Sequence, residues 1–183
     1  MKDVRSDFTF SNEPYRYHPL KPDEIMWARE LHNDRDILKM LTDSHEVSKE
    51  EQERWYPTIK DSSSSSKIVT EESENRIGLI RIDRYDRENK SICLGLDIQK
   101  EHRGKGHASK IYAQILDRSF KELGINRVWL LVASFNKRAI HIYEKIGMKH
   151  EGVQREALYR PEFTSATGYH DYLMMSILRS EWK

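Results

Sequence analysis

Residues 99–109, Gln-Lys-Glu-His-Arg-Gly-Lys-Gly-His-Ala-Ser, constrain this chain more than any other stretch. Before them Ile92, Leu94, Leu96 and Ile98 alternate with Cys93, Gly95 and Asp97, the period of two of a half-buried strand. After them Ala108, Ile111, Tyr112, Ile115, Leu116 and Leu123 fall on one helical face, and Gly124 stands where a helix C-cap is expected. The turn therefore joins a strand directly to a helix N-terminus. The first turn of a helix carries four unbonded N–H groups and the positive end of the dipole. Gly104 and Gly106 let an anion come close to the backbone, and Lys100, Arg103 and Lys105 add positive charge, as do His102 and His107 when protonated. Such an arrangement binds phosphate. A solvated basic loop with two turn glycines has the same residues, so the turn alone leaves both readings open.

The remaining pattern predicts one mixed α/β domain. Residues 1–14 read as a polar N-terminal tail, and the domain is expected over 15–183. Strands are expected at 15–20, 67–72, 77–85, 91–98, 128–132, 149–158 and 169–178. Helical segments are expected from Asp23 to His32, at 37–41, from the capping box of Ser48 and Glu51, after the glycine turn, and over 137–146 up to Gly147. Pro57 should end or kink the third of these, and the serine run 62–66 reads as a mobile loop.

Composition excludes several classes. The formal net charge is +1, from 31 Lys plus Arg against 30 Asp plus Glu, which argues against a general nucleic-acid binder. The longest apolar run, Val128–Ala133, is too short to span a membrane, and residues 1–14 hold no apolar signal core. Cys93 is the one cysteine, so no internal disulfide forms, and no Cys/His cluster has zinc spacing. A cytoplasmic protein without a metal is expected, with no nucleic-acid or membrane partner, as monomer or homodimer.

The turn is neither a Walker A loop nor a dinucleotide fingerprint, because Lys110 stands where the latter needs Gly or Ala. It does contain Arg103-x-x-Gly106-x-Ala108. Downstream lies Asn136-Lys-Arg-Ala139-Ile-His-Ile-Tyr143-Glu-Lys-Ile-Gly147-Met148. Together these resemble the two hallmarks of the GNAT superfamily of N-acetyltransferases, with Met148 where the family has Phe. The resemblance covers roughly Tyr15 to Trp182. It implies a mainly antiparallel sheet flanked by helices, with a central strand pair that splays.

Acetyl transfer from a thioester to an amine requires a polarised carbonyl, a neutral amine, a proton for the leaving thiolate and good alignment. The resemblance implies acetyl-CoA as cosubstrate. Its arm would lie against Leu96, Asp97 and Ile98, and its pyrophosphate over Arg103, Gly104, Lys105, Gly106, His107, Ala108 and Ser109. Asn136 would orient the arm, and Lys137 or Arg138 would approach the phosphates, unless they are a solvated helix face. Tyr143 would be the general acid; from periodicity alone it also fits a core tyrosine. No base is assigned. Asp97, His45, Glu46, His170 and Asp171 are candidates, and proton loss through ordered water is equally open.

The C-terminal run 169–182 is similar to one branch of the superfamily: ribosomal-protein N-terminal, spermidine and nucleotide-amino-sugar acetyltransferases. Residues 43–55 are most similar to the amino-sugar enzymes. A small-molecule amine is the expected partner, placed against His45, Glu46 and Trp55, with a nucleotide-linked amino sugar preferred. The alternatives are a protein N-terminus, a polyamine held by Glu46, Glu50, Glu51 and Glu53, and a catalytically silent CoA-binding module.

Overall fold

A computed structural model describes residues 4–183. An eight-stranded sheet runs in the order β1-β2-β3-β4-β5-β6-β8-β7. Its strands are β1 (Phe10–Asn12), β2 (Tyr15–Pro19), β3 (Ser66–Glu72), β4 (Asn75–Asp86), β5 (Ser91–Ile98), β6 (Arg127–Ala133), β7 (Lys149–Tyr159) and β8 (Tyr169–Leu178). Helices α1 (Val4–Asp7), α2 (Ile25–His32), α3 (Arg35–Leu38), α4 (Lys49–Lys60), α5 (His107–Asp117) and α6 (Lys137–Lys145) complete it. Every pairing is antiparallel except β5 with β6. No helix among the described residues is long and apolar enough to cross a membrane.

The alternation read in the sequence sorts the two faces. Ile80, Ile82, Ile92 and Leu94 join Ile111, Ile115 and Leu116 of α5 in the main core. Each such side chain contributes about 1.5–3 kcal/mol by leaving water. On the other face Val69 and Leu79 pack against Ala28, Leu31, Ile37 and Leu41, so α2, α3 and the turn after them cover that end of the sheet.

Two expectations need correction, and one helix end adds a detail. Residues 4–12 are not a tail: Val4 and Phe8 are wholly buried, Phe8 meets Tyr85 edge-to-face at 6.4 Å, and β1 pairs with β2. Three apolar residues, Val4, Phe8 and Phe10, are too few in so short a segment to set a clear periodicity, which is why the sequence reads as polar. Pro57 does not end α4, which runs on to Lys60. The carbonyl of Glu53, which a proline nitrogen cannot serve, lies on an exposed residue where water can. The helix after the glycine turn ends in a wider π-type turn over 118–122, with Leu123 N–H donating to the Arg118 carbonyl, before Gly124 at φ +67°.

Candidate active site

β5 and β6 pair over only three positions, Ser91–Cys93 against Arg127–Trp129. Beyond Cys93 they part, and a cleft of about 720 Å³ opens between them. The expected splay is therefore present. Leu96, Asp97 and Ile98 form one wall of the cleft, and Leu131, Val132 and Ala133 the other.

Two glycines shape the sheet here by what they leave out. A Cβ on Gly95 would lie 2.6 Å from the Arg81 guanidinium, and one on Gly78 only 2.3 Å from the Asp97 carbonyl oxygen. Gly95 thus admits Arg81, its cross-strand partner, over β5. Arg81 Nε stands 3.2 Å from Asp97 Oδ2. Burial works against the charge on Arg81, but the carboxylates of Asp97 and Asp83 more than restore it. Sequence reasoning missed Arg81, since only the register of β4 on β5 brings it to the cleft.

The glycine turn closes one end. Gly104 and Gly106 have φ of +79° and +84°, a backbone that favours glycine. Gly106 is the N-cap of α5 and supplies no side-chain cap, and a Cβ there would meet nothing within 4 Å. Gly106, His107, Ala108 and Ser109 line the cleft, so the uncapped end of the helix faces open space. Arg138 reaches over the turn, its Nη2 4.0 Å from where a Gly104 Cβ would be. This chain's residues fit the phosphates of a CoA: an unserved helix N-terminus, an adjacent guanidinium and no obstructing side chain.

Two cationic residues of the turn are differently employed from the expectation. Arg103 is a staple: Nε donates to the Ile98 carbonyl at 2.9 Å, Nη2 lies 2.9 Å from Asp34 Oδ1, and Nη1 donates to Asp36 Oδ2 at 3.1 Å. It therefore joins the turn to α3, with its guanidinium turned to carboxylates. His107 Nδ1 bonds the Tyr15 hydroxyl at 2.7 Å, and burial lowers its pKa below the ordinary imidazole value. Its backbone N–H, not its ring charge, is what it brings to the turn.

Asn136 caps α6, its Oδ1 accepting from Ala139 N–H at 3.2 Å, and lines the cleft. Further along the same helix, Tyr143 lines the cleft. The Tyr112 hydroxyl donates to it at 3.4 Å. Burial raises the pKa of Tyr143, against the lowering effect of the Tyr112 bond and of Arg81. The phenol is therefore protonated at neutral pH, and a donor and a cation stand ready to steady the phenolate. Tyr112 sits on the apolar face of α5, so the sequence marks it as a core residue.

α3 and the turn after it also line the cleft, through Asp36, Ile37, Met40 and Leu41. His45, Glu46 and Trp55 do not line it. His45 Nδ1 bonds Asp43 Oδ1 at 2.7 Å out in solvent, Glu46 is exposed, and Trp55 packs on the core beneath α2 and α4. The capping box of Ser48 and Glu51 forms at the start of α4. Of the candidate bases, Asp97 is held by Arg81. His170 Nε2 is 3.1 Å from the Arg160 carbonyl, and Asp171 Oδ1 accepts from Glu156 N–H at 2.8 Å, so both are tied into the β7–β8 end of the sheet.

A helix N-terminus built for phosphates, a split parallel strand pair and a half-buried tyrosine facing the cleft define an acyl-CoA-dependent transferase. The Acetyltransferase (GNAT) domain family matches residues 16–149, and the chain belongs to that family. It is 28% identical to the spermidine N(1)-acetyltransferase of Vibrio cholerae, across 93% of this chain and 96% of that one. It is 24% identical to the Escherichia coli K12 enzyme of the same name, across 91% and 87%. The crystal structure of the Vibrio cholerae enzyme in complex with CoA and spermine superposes with a TM-score of 0.82, covering 93% of this chain and 98% of that one. The chain is thus an acetyl-CoA-dependent N-acetyltransferase, of the fold that its two motifs resemble and the branch that its C-terminal run resembles.

Proposed function

We propose that this enzyme acetylates a primary amine of a small aliphatic polyamine, which replaces the amino sugar preferred from sequence. The observation that carries the reading is the α3 side of the cleft. There Ile37, Met40 and Leu41 offer an aliphatic wall, next to Asp36, whose carboxylate is shared with Arg103. A methylene chain between cationic amines is complementary to such a wall. The aromatic residue that favoured a sugar, Trp55, packs on the core instead. The relatives named for spermidine support the same class.

In this reading the cosubstrate supplies an acetyl thioester. The N–H groups of Gly106–Ser109 and the Arg138 guanidinium bind its phosphates. The unpaired edge of Leu96–Ile98 holds its arm, and Asn136 orients it. Tyr143 Oη gives its proton to the departing sulfur and is steadied by the Tyr112 hydroxyl. Burial keeps that proton on Tyr143 until it is needed. No side chain here is assigned as base.

The test is thiol release from acetyl-CoA with spermidine, spermine, a nucleotide-linked amino sugar and a peptide N-terminus. Turnover with the polyamines at least about tenfold above the others supports the reading. Preference for the sugar or the peptide overturns it.

A further inference from the structure

Away from the cleft, three side chains from separate elements converge. His18 on β2, Glu24 in the short 3-10 turn before α2, and Glu71 on β3 place one ligand atom each within 4.8 Å of one another. His18 Nε2 is 3.3 Å from Glu71 Oε1 and 3.8 Å from Glu24 Oε1. The three side chains are only 13%, 5% and 17% exposed, in the order His18, Glu24, Glu71. Nε2 itself is buried and has no hydrogen-bond partner among the described residues.

The tautomer sharpens the case. His18 Nδ1 is 3.0 Å from the Pro19 carbonyl oxygen. A carbonyl only accepts, so Nδ1 carries the proton. On the neutral ring, Nε2 then aims a lone pair at two carboxylates. Three lone-pair donors do not sit together out of water unless a cation lies between them. The cation is either a second ring proton or a metal ion.

Other contacts favour the metal. Glu24 Oε2 accepts from Lys21 N–H at 2.9 Å, which fixes the carboxylate and leaves Oε1 to face His18. A backbone bond on the far nitrogen of the imidazole and on the far oxygen of a carboxylate is how protein metal ligands are oriented. Zinc takes nitrogen and carboxylate oxygen at about 2.0–2.2 Å in a tetrahedron, which puts ligand atoms roughly 3.3–3.5 Å apart. The His18–Glu71 separation of 3.3 Å already has that value.

We infer that His18, Glu24 and Glu71 form a divalent-cation site, suited to zinc, that fastens β2 and β3 to the segment entering α2. The sequence gives no metal signal because these residues lie on separate elements, without the short spacing of a zinc motif.

The full chain, stripped with chelator, is titrated with Co2+ and followed by visible absorption. The expected result is one equivalent per chain with the intense bands of tetrahedral cobalt, displaced by Zn2+, and a melting temperature raised by Zn2+. His18→Gln and Glu71→Gln, checked for folding by circular dichroism, should each lose those bands. His150→Gln, which alters a surface imidazole beside Glu144, should keep them. No tetrahedral bands in the wild type, or bands that survive both His18→Gln and Glu71→Gln, overturns the proposal. So does an NMR titration showing His18 doubly protonated at pH 7 in excess Zn2+, since that identifies the cation as a proton.

Discussion

The hydroxyl of Tyr112 lies 3.4 Å from that of Tyr143, with the two rings nearly perpendicular at 83°. The outer tyrosine faces the cleft, and the inner one points its only O–H at it. An acid whose conjugate base already has a donor waiting gives up its proton more readily.

Tyr143→Phe keeps the ring and removes the proton. Turnover should fall by about 10²–10⁴ while CoA affinity measured by calorimetry stays near wild type. Tyr112→Phe should reduce turnover by less, about tenfold, because Tyr143 keeps its proton but loses a group that lowers its pKa. A Tyr143→Phe enzyme working at full rate assigns the residue to the core.

Gly106→Asn and Gly106→Glu separate backbone from charge. Both must adopt φ near +84°, which Asn tolerates best among side-chain-bearing residues. Asn should keep most CoA affinity. Glu places an anion over the N-terminus of α5, and isothermal titration should show CoA binding lost while circular dichroism is unchanged.

Met40→Lys puts a cation into the aliphatic wall of the cleft. The KM for a polyamine should rise at least about tenfold, with CoA affinity unchanged. The double change His45→Ala with Glu46→Ala, outside the cleft, should leave acceptor kinetics unaltered. The opposite pattern would move the acceptor to the loop before α4.

Arg103→Gln cuts the staple between the turn and α3. Burial alone would raise the pKa of Asp34, but the hydrogen bond from Arg103, with those from Ile37 and Asp36 N–H, brings it below the ordinary 3.8. A depressed carboxylate stabilises the fold above its unfolded pKa and loses that effect as pH falls through the folded one. The melting temperature of Arg103→Gln should therefore lie below wild type at pH 7. That gap should narrow as the pH drops below about 4.

Phe8→Ala tests the N-terminal segment. A wholly buried phenylalanine truncated to alanine costs about 3–5 kcal/mol, which chemical denaturation would measure. A true tail would show no change.

Local pattern carried much of this molecule. The strand–turn–helix unit at Ile98–His107 and the helix that starts at Lys137 depend on neighbours in the chain, and both form where the residues place them. What was not legible depends on register and crossing. Arg81 reaches the cleft because Gly95 stands opposite it. Arg103 looks like a phosphate ligand until α3 delivers Asp34 and Asp36 to it. Trp55 reads as a platform for a ring until packing of α4 decides which way that face turns.

Only three residue pairs tie β5 to β6. Past Cys93, the alternate amides of β5 that do not face β4 have no strand to hold them. Hydrogen–deuterium exchange along Leu94–Ile98 should accordingly be uneven, slow on the β4 side and fast on the side of the cleft. An occupant that bonds this edge behaves as a temporary ninth strand. Those fast amides would then become slow, and the melting temperature would climb with its concentration. The gap in the sheet thus makes the protein's own rigidity a readout of whether its cleft is filled.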